Sequence, residues 1–313
     1  MARVSVIIPV YNEEQNVVVI TEKLKEIFEL LPGINFEIIF VDDGSTDQSL
    51  VVLMELSFKN PNLFFISLSR NFGKDNALMA GFKYATSDAV ITMDADLQHP
   101  VELIPELIDY WQQGYDVVYA HRKDKNRHAS FFTRIRSKLF YNVVNALSDV
   151  QLENGISDFK LLDKKVVQIL NTLPENEPFL RGMIKWVGFK QKPVEYVPNE
   201  RFSGRTKYGF TNLLKLATHG LTSFSTKPLL FAIYLGFFFS ATSLLYVPYV
   251  LLSFYYHWDR GPGWASVIVT IAFFGGLQLM ITGIVGLYLG KTFMQGKGRP
   301  NYIIQSTNLE ISE

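Results

Sequence analysis

Val4-Ser5-Val6-Ile7-Ile8-Pro9-Val10 is an almost uninterrupted apolar stretch near the start of the chain, with Arg3 close before it. A secretory signal peptide needs a longer apolar segment, and here the acidic residues Glu13 and Glu14 follow almost at once. A short apolar run with polar residues on both sides instead indicates a buried β-strand, of the kind that parallel sheets contain.

Similar apolar runs recur along the first part of the chain. They lie at residues 36–41, 63–68, 89–93 and 116–120. Stretches of helical length and periodicity separate them, at residues 14–30, 46–58, 73–86 and 100–113. This alternation predicts an α/β domain with a mostly parallel sheet that is covered by helices on both faces. In such a sheet the ligand site lies outside the carboxyl ends of the strands.

Polar clusters follow four of the predicted strands. They are Pro9 to Glu13, Asp42 to Ser45, Ser69 to Lys74, and Asp94 to Asp96. Helix capping alone could account for Ser45 and Thr46. It does not require the acidic pairs Asp42/Asp43 and Asp94/Asp96, so we expect a binding site where these strands end.

Asp94 and Asp96 are the most informative of these residues. Because these residues are two positions apart at a strand end, their carboxylates project to the same side and can converge on one hard cation. The chain has no cysteine, and its five histidines show no paired metal spacing. Mg²⁺ or Mn²⁺ fits best, because these ions take few protein ligands and complete their shells with substrate phosphates and water. A diphosphate substrate is the expected partner, with the metal acting as a Lewis acid on the leaving group.

The composition restricts the possible classes of protein. With 313 residues, of which 48% are hydrophobic and 19% charged, the chain can bury a sizeable core, so a mainly disordered protein is excluded. Its 30 basic and 30 acidic residues cancel, which gives no reason to expect a nucleic-acid partner. The lack of cysteine excludes disulfides and a cysteine nucleophile.

The last third of the chain has a different character. Residues 228–258 and 261–290 contain no Asp, Glu, Lys or Arg. Each stretch exceeds the roughly 20 apolar residues that cross a bilayer, so we expect two membrane spans, at about 229–256 and 264–290. The short turn between them, Asp259 to Gly263, has aromatic neighbours typical of a membrane interface and makes the spans a hairpin.

The basic residues around the hairpin indicate its orientation. Lys215 and Lys227 precede the first span, and Lys291, Lys297 and Arg299 follow the second. Because positive charge is retained on the cytoplasmic side, both the N-terminal domain and the C-terminus are expected in the cytoplasm. The chain is thus predicted to be an integral protein of the inner (plasma) membrane.

The predicted organisation has four parts. They are a cytoplasmic catalytic domain at 1–208, an interfacial amphipathic helix at 209–227, a transmembrane hairpin at 228–291 and a cytoplasmic tail at 292–313. The interfacial helix rests on an apolar stripe between Phe210 and Phe224. Packing of that stripe against a neighbouring subunit is an alternative reading.

Several motifs together carry a family resemblance. They are Ile8 to Glu14, Val41 to Asp47, Ser69 to Lys74, and Met93-Asp94-Ala95-Asp96-Leu97-Gln98-His99-Pro100. In these motifs the chain resembles family 2 glycosyltransferases of the Rossmann-like GT-A fold. It is most similar to their polyprenyl-phosphate branch, which includes dolichyl-phosphate mannose synthases and bactoprenol glucosyltransferases, and the likeness covers nearly the whole chain.

The resemblance implies a nucleotide-sugar site. The residues implied to bind the donor are Pro9, Tyr11, Glu13 and Asp42 at the nucleoside, Asp94 near the base, ribose and sugar, and Lys74 near the donor pocket. Asp96 and Gln98 are implied to ligate the metal, with Asp94 beside them. Lys74 could instead simply begin a helix, and His99 is expected to be a local residue of the turn before the next helix.

A basic segment supplies the candidate acceptor site. His121 to Lys138 contains seven Lys or Arg residues and one acid, Asp124. Part of this charge is explained by a solvated loop and an exposed helix face, and the rest suits a lipid phosphate and anionic headgroups. By resemblance, Arg122, Arg134 and Ser137 contact the acceptor phosphate, with Arg136 as a further candidate.

Two more segments match the family. Asp158 occupies the position often assigned to the catalytic base, although a phosphate monoester is already anionic at neutral pH and hardly needs one. Asp158 could instead orient the acceptor or its arginines. Arg201 to Tyr208 resembles a mobile flap over the donor diphosphate, with Arg201 and Lys207 as phosphate contacts. Arg205 and Thr206 depart from the usual motif there, which has an acidic residue and a serine.

The resemblance implies an inverting hexosyltransferase. It would move one sugar, with UDP-glucose as the expected nucleotide-sugar donor, to undecaprenyl (bactoprenyl) phosphate in the membrane, and it would be a homotetramer. A processive polysaccharide synthase is the alternative enzyme, although two spans are few for a channel and no Gln-x-x-Arg-Trp motif occurs. A non-catalytic membrane adaptor is the alternative from another class.

Overall fold

The computed structural model describes residues 1–122, 156–197, 225–256 and 263–309. Within these ranges the chain forms two compact units. The first comprises residues 1–122, 156–197 and 299–309, and the second comprises residues 225–256 and 263–298.

The first unit begins with the alternation that the sequence predicts. Its elements up to residue 122 are β1 (Ala2–Val10), α1 (Glu14–Glu29), β2 (Ile34–Asp42), α2 (Ser49–Lys59), β3 (Leu63–Leu68), α3 (Lys74–Tyr84), β4 (Ala89–Thr92), a 3₁₀ turn (Val101–Leu103), α4 (Ile104–Gln112) and β5 (Val117–Arg122). After the next described residue come β6 (Ile156–Asp163), α5 (Lys164–Thr172), α6 (Leu180–Trp186) and β7 (Gln191–Tyr196). A last strand, β8 (Ile304–Thr307), follows the second unit.

These strands form one mixed sheet in the order β7-β5-β6-β4-β1-β2-β3-β8. The pairs β1–β2, β1–β4, β2–β3 and β5–β7 are parallel, whereas β6 is antiparallel to both β4 and β5, and β8 is antiparallel to β3. The predicted α/β fold with a mostly parallel sheet is confirmed.

Both faces of the sheet are buried, which explains the nearly continuous apolar strands. Alternate residues of β1 point to opposite faces. Val4, Val6 and Ile8 join the core cluster that also contains Ile20 of α1. On the other face Ile7 meets α3, where a Cβ added at Gly81 would lie 2.5 Å from Ile7 Cγ2. The helix can approach this closely because residue 81 has no side chain.

β8 is an element that the sequence analysis did not predict. It lies within residues 292–313, which were assigned to a tail, and pairs with β3 in the register Ile66 to Thr307. The Asn308 side chain continues the pairing, because its Oδ1 accepts from Phe65 N at 2.8 Å and its Nδ2 donates to Leu63 O at 3.3 Å. The sequence of β8, Ile304-Gln305-Ser306-Thr307, has a single apolar residue and so shows no apolar–polar alternation typical of a strand.

The second unit contains two long helices, α7 (Lys227–Tyr255) and α8 (Trp264–Gly296). Each includes a stretch that is long and apolar enough to cross a membrane, at Lys227–Leu245 and Ser266–Gly296. Only 6% of the first stretch and none of the second is buried, unlike the core helix of a soluble protein. The two helices contact each other through Phe239, whose ring lies 5.7 Å from that of Phe273. The predicted interfacial helix at 209–227 lies almost entirely outside the described residues.

We expect Asn308→Ala to destabilise the first unit, because it removes both side-chain hydrogen bonds to the edge of β3. A net loss of about 1 kcal/mol would lower the melting temperature of the purified protein by about 2–4 °C. Gln305→Ala is the matched control, since Gln305 is an exposed residue of the same short strand. Equal melting temperatures for the two variants would contradict the role of Asn308.

Candidate active site

The sheet brings the predicted polar clusters to one edge. β1, β2, β3 and β4 are mutually parallel, so the residues after them lie at the same edge. β6 runs the other way, and Thr92 at the end of β4 pairs with Lys160 of β6. Asp158, two residues before Lys160, therefore lies at this edge as well. Arg122 also lies there, because β5 and β4 are both antiparallel to β6.

The loops after β2 and β3 are clamped together by Asp43. Its carboxylate accepts hydrogen bonds from Phe72 N at 2.7 Å and Gly73 N at 2.9 Å. Burial raises the pKa of Asp43, although these two bonds act to lower it. The adjacent Gly44 has φ 66°, and a Cβ there would lie 2.5 Å from the backbone carbon of Arg70. Only glycine fits this contact.

Asp42 is fixed in a similar way. Ser45 N donates to its Oδ1 at 3.1 Å and Ser67 Oγ donates to its Oδ2 at 3.1 Å, which holds a buried carboxylate in one orientation. The other residues that the resemblance assigns to the nucleoside follow β1. Pro9 and Glu13 are half-buried there and Tyr11 is exposed, so all three are accessible from the edge.

An ion-pair network occupies the middle of the edge. Lys74, the first residue of α3, pairs with Asp94 after β4, and its Nζ lies 2.6 Å from Asp158 Oδ2. Arg181 of α6 holds the same carboxylate with two bonds, from Nε to Oδ1 at 2.7 Å and from Nη2 to Oδ2 at 2.8 Å. We call Lys74, Asp94, Asp158 and Arg181 the ion-pair network.

This network fixes the charges of Lys74 and Asp158. Burial alone would raise the pKa of Asp158, but the charges of Lys74 and Arg181 outweigh burial and hold that pKa well below its ordinary value. Burial would likewise lower the pKa of Lys74, but Asp158 and Asp94 raise it above its ordinary value. Asp158 is therefore a carboxylate with both oxygens engaged, which is a poor proton acceptor near neutral pH.

Lys160 is a further basic residue close to the network. Lys160 is buried on β6, two residues after Asp158 and hence on the same face of the strand. Burial lowers its pKa to about 8, although Asp158 acts to raise it. Asp75 of α3 is the nearby acid whose pKa burial raises, and it accepts a long hydrogen bond from Leu180 N at 3.4 Å.

The acidic loop, residues 94–99, turns sharply after β4. Leu97 has φ 60°, a left-handed conformation that few non-glycine residues adopt, and Gln98 N donates to Asp96 Oδ1 at 3.2 Å. At the end of the loop the buried His99 accepts a bond from Asp94 N at Nδ1, and its Nε2 lies 2.8 Å from Ser157 Oγ. Burial lowers the pKa of His99.

The donor set of this loop suits a small hard cation. In the described parts of the chain, no group of three or more histidine, aspartate or glutamate residues could hold a metal by itself. Mg²⁺ and Mn²⁺ do not need such a cage, because phosphate and water oxygens complete their shells. The Asp96 carboxylate and the Gln98 amide oxygen are the candidate ligands of this loop, with Asp94, which pairs with Lys74, beside them.

The remaining predicted residues are not all described. Arg122 is exposed at the end of β5, in register with Tyr196 of β7. Arg134, Arg136, Ser137, Arg201 and Lys207 lie outside the described residues. Arg181 was not among the predicted site residues, although one arginine among the buried Leu180, Met183 and Ile184 of a short helix could have suggested a buried carboxylate partner. The hydrogen bond between His99 and Ser157 was not predicted either.

Comparison with known proteins agrees with these features. Residues 5–170 match the family Glycosyl transferase family 2. An uncharacterized glycosyltransferase of Bacillus subtilis, YkcC, is 42% identical over 97% of this chain and 93% of its own length. The bactoprenol glucosyl transferase of Shigella phage SfX is 38% identical over 97% of this chain and 99% of its own length. A mannosyltransferase structure from Pyrobaculum calidifontis is a distant likeness, with 17% identity, a TM-score of 0.47, and 96% and 86% of the two chains covered.

The chain belongs to glycosyltransferase family 2, and it is an enzyme. The resemblance read from its motifs is confirmed, including the similarity to bactoprenol glucosyl transferases.

We expect Asp158→Asn to lower the free energy of unfolding at pH 7 by about 3 kcal/mol, because it leaves Lys74 and Arg181 without their shared anion. The pKa of Asp158 is lower in the folded than in the unfolded protein, so its contribution is fully present above the unfolded pKa of about 4. The contribution is lost as the pH falls through the folded pKa.

The gap between the native protein and Asp158→Asn should thus narrow as the pH falls below about 4. Denaturant unfolding at several pH values measures this gap. Asp109→Asn is the control, because Asp109 is exposed on α4 and its side chain bonds only Gln113 among the contacts described. A gap that is absent at pH 7, or that does not narrow below about pH 4, would contradict the assigned charge of Asp158.

Proposed function

We propose that the protein transfers one sugar, with inversion, from a nucleotide-diphosphate sugar to a membrane polyprenyl phosphate. UDP-glucose is the proposed donor and undecaprenyl (bactoprenyl) phosphate the proposed acceptor. The observation that carries the proposal is the convergence of the acidic loop, Lys74 and Asp158 at the carboxyl edge of the sheet. The similarity over nearly the full length to proteins named bactoprenol glucosyl transferases supports the choice of acceptor and sugar.

The nucleoside is proposed to bind where β1 and β2 end. Asp42 is already oriented by Ser45 and Ser67, so it can accept a further hydrogen bond without first being ordered. Tyr11 is accessible beside it, together with Pro9 and Glu13. A prearranged carboxylate supports binding because less entropy is lost when the ligand arrives.

The diphosphate is proposed to lie against the acidic loop. Asp96 and Gln98 would hold Mg²⁺ or Mn²⁺, with Asp94 beside them, and the bound ion would supply Lewis-acid stabilisation of the departing nucleoside diphosphate. Lys74 adds a fixed positive charge at this edge, because its two carboxylate partners raise its pKa. Arg201 and Lys207 are proposed as further phosphate contacts from the flap.

The acceptor is proposed to attack without a protein base. A phosphate monoester has a second pKa near 6 and is already a nucleophilic anion at neutral pH. Arg122, Arg134 and Ser137 are proposed to hold this phosphate. Asp158, with its two cationic partners, is proposed to position Lys74 and Arg181 rather than to accept a proton.

The apolar helices α7 and α8 are proposed to anchor this chemistry to the lipid acceptor. As two membrane spans, they would keep the catalytic domain and the C-terminus on the cytoplasmic face of the inner membrane. Their exposed apolar side chains support an apolar environment. The interfacial helix at 209–227 and a homotetrameric assembly are further parts of this proposal.

Asp96→Asn is expected to reduce formation of glycosyl-phospholipid by about 100-fold or more, because the metal contributes several kcal/mol of charge stabilisation. The assay follows transfer from radiolabelled UDP-glucose to undecaprenyl phosphate, with and without Mn²⁺. Asp109→Asn, on the surface of α4, should retain the activity of the native protein. Full activity of Asp96→Asn would overturn the site, and a polymeric product would point to a processive synthase.

A double-mutant cycle separates a positioning role of Asp158 from a base role. If Asp158 acts by holding Lys74, then Asp158→Asn and Lys74→Met should each raise the KM for the nucleotide sugar about tenfold, and the double variant should be little worse. A base role predicts instead a lower kcat for Asp158→Asn with an unchanged donor KM. Lys165→Met is the control, because that exposed lysine pairs with Asp116.

A further inference from the structure

His99 is a buried residue that ties two parts of the candidate active site together. Its Nδ1 accepts the backbone N–H of Asp94 at 3.0 Å, and its Nε2 lies 2.8 Å from Ser157 Oγ on β6. A backbone N–H can only donate, so Nδ1 carries no proton. The neutral ring therefore bears its hydrogen on Nε2 and donates it to Ser157.

The surroundings of the ring hold it in this orientation. Phe159 stacks on it with centroids 5.3 Å apart and planes 19° apart, and Tyr196 meets it edge-on at 6.2 Å. The Tyr196 hydroxyl and Phe159 N both hydrogen-bond Ser157 Oγ, at 3.1 Å and 3.2 Å. Ser157 is thus a fixed point on β6, next to Asp158.

The acidic loop needs such an attachment to β6 because its backbone is strained. Leu97 adopts a left-handed conformation that is unfavourable for a residue with a side chain. The bond from Asp94 N to His99 closes the loop on itself across five residues, and the bond to Ser157 fixes the closed loop to the next strand. Asp96 and Gln98 lie within this closed loop.

We propose that His99 is a positioning residue, which sets the acidic loop against β6 so that Asp96 and Gln98 meet the metal–diphosphate in one arrangement. The inference rests on the proposed function for the identity of the ligand. It goes beyond that function because it assigns a role to a residue that the proposed function does not use. It also explains how Asp94 and Asp158, the two carboxylates that pair with Lys74, are held in a fixed position relative to each other.

Three substitutions separate the two bonds of the ring. His99→Asn places an amide oxygen near the position of Nδ1, where it can accept the Asp94 N–H, but it does not reach Ser157. His99→Gln can reach Ser157 but offers no acceptor at the position of Nδ1. His99→Ala removes both bonds.

The readout is Mn²⁺ affinity in the presence of UDP, measured by loss of the free Mn²⁺ signal in electron paramagnetic resonance, without turnover. Loss of a residue that orients metal ligands weakens metal binding by about 10–100-fold. We expect His99→Ala to bind Mn²⁺ at least about tenfold more weakly than the native protein, and His99→Asn and His99→Gln, which each keep one of the two bonds, to lie between the native protein and His99→Ala. A purely structural role would not produce this order among variants with similar melting temperatures.

Ser157→Ala keeps the proposal testable if His99→Ala does not fold, because it deletes only the partner hydroxyl. It should weaken Mn²⁺ binding in the same direction. Native-like Mn²⁺ affinity in all folded variants, or an affinity of His99→Ala no lower than those of His99→Asn and His99→Gln, would overturn the proposal.

The result that would contradict the proposed function is different from the one that would overturn the role of His99. A native protein that forms no glycosyl-phospholipid from any nucleotide sugar would contradict the function, whereas the order of Mn²⁺ affinities among the His99 variants would still test the positioning role.

Discussion

The ion pairs of Lys74 with Asp94 and Asp158 are the interaction on which the site depends. A parallel sheet delivers the ends of several strands to one edge, and in this chain those ends carry carboxylates that would repel one another. Lys74 lies between two of them, and Arg181 supplies the second cation that Asp158 requires. Removal of Asp158 would leave two partly buried cations, Lys74 and Arg181, without their shared anion, which is far more costly than the net worth of the pair.

The same charges decide what Asp158 can do. A carboxylate held by an ammonium and a bidentate guanidinium keeps its negative charge and has little affinity for a proton. Such a group is suited to positioning cations near a diphosphate. An anionic phosphate acceptor is consistent with this arrangement, because it needs to be oriented and shielded from water more than deprotonated. The proposed reaction would then rely on electrostatic stabilisation of the leaving group.

Much of the fold followed from apolar periodicity alone. The strands β1 to β5 and the helices between them coincide with the predicted runs, and the rule for carboxyl ends of parallel strands predicted Asp42 and Asp94 at the same edge of the sheet. Contacts between residues distant in sequence were not predictable in this way. Three such contacts depend on how separate elements pack, which a local sequence pattern does not reveal. They are the bonds of Arg181 to Asp158, the bond from His99 to Ser157 and the pairing of β8 with β3. The position of Asp158 came from the family resemblance, and its salt bridges only from the structure.

The most direct measurement is the anomalous diffraction of Mn²⁺ in crystals grown with UDP-glucose. If the charges at the sheet edge bind the donor, the manganese peak will lie within coordination distance of the Asp96 carboxylate and the diphosphate. The uridine will lie at the ends of β1 and β2, and Lys74 will still pair with Asp158. Manganese and nucleotide bound away from this edge, or Lys74 turned away from Asp158 in the complex, would contradict that assignment.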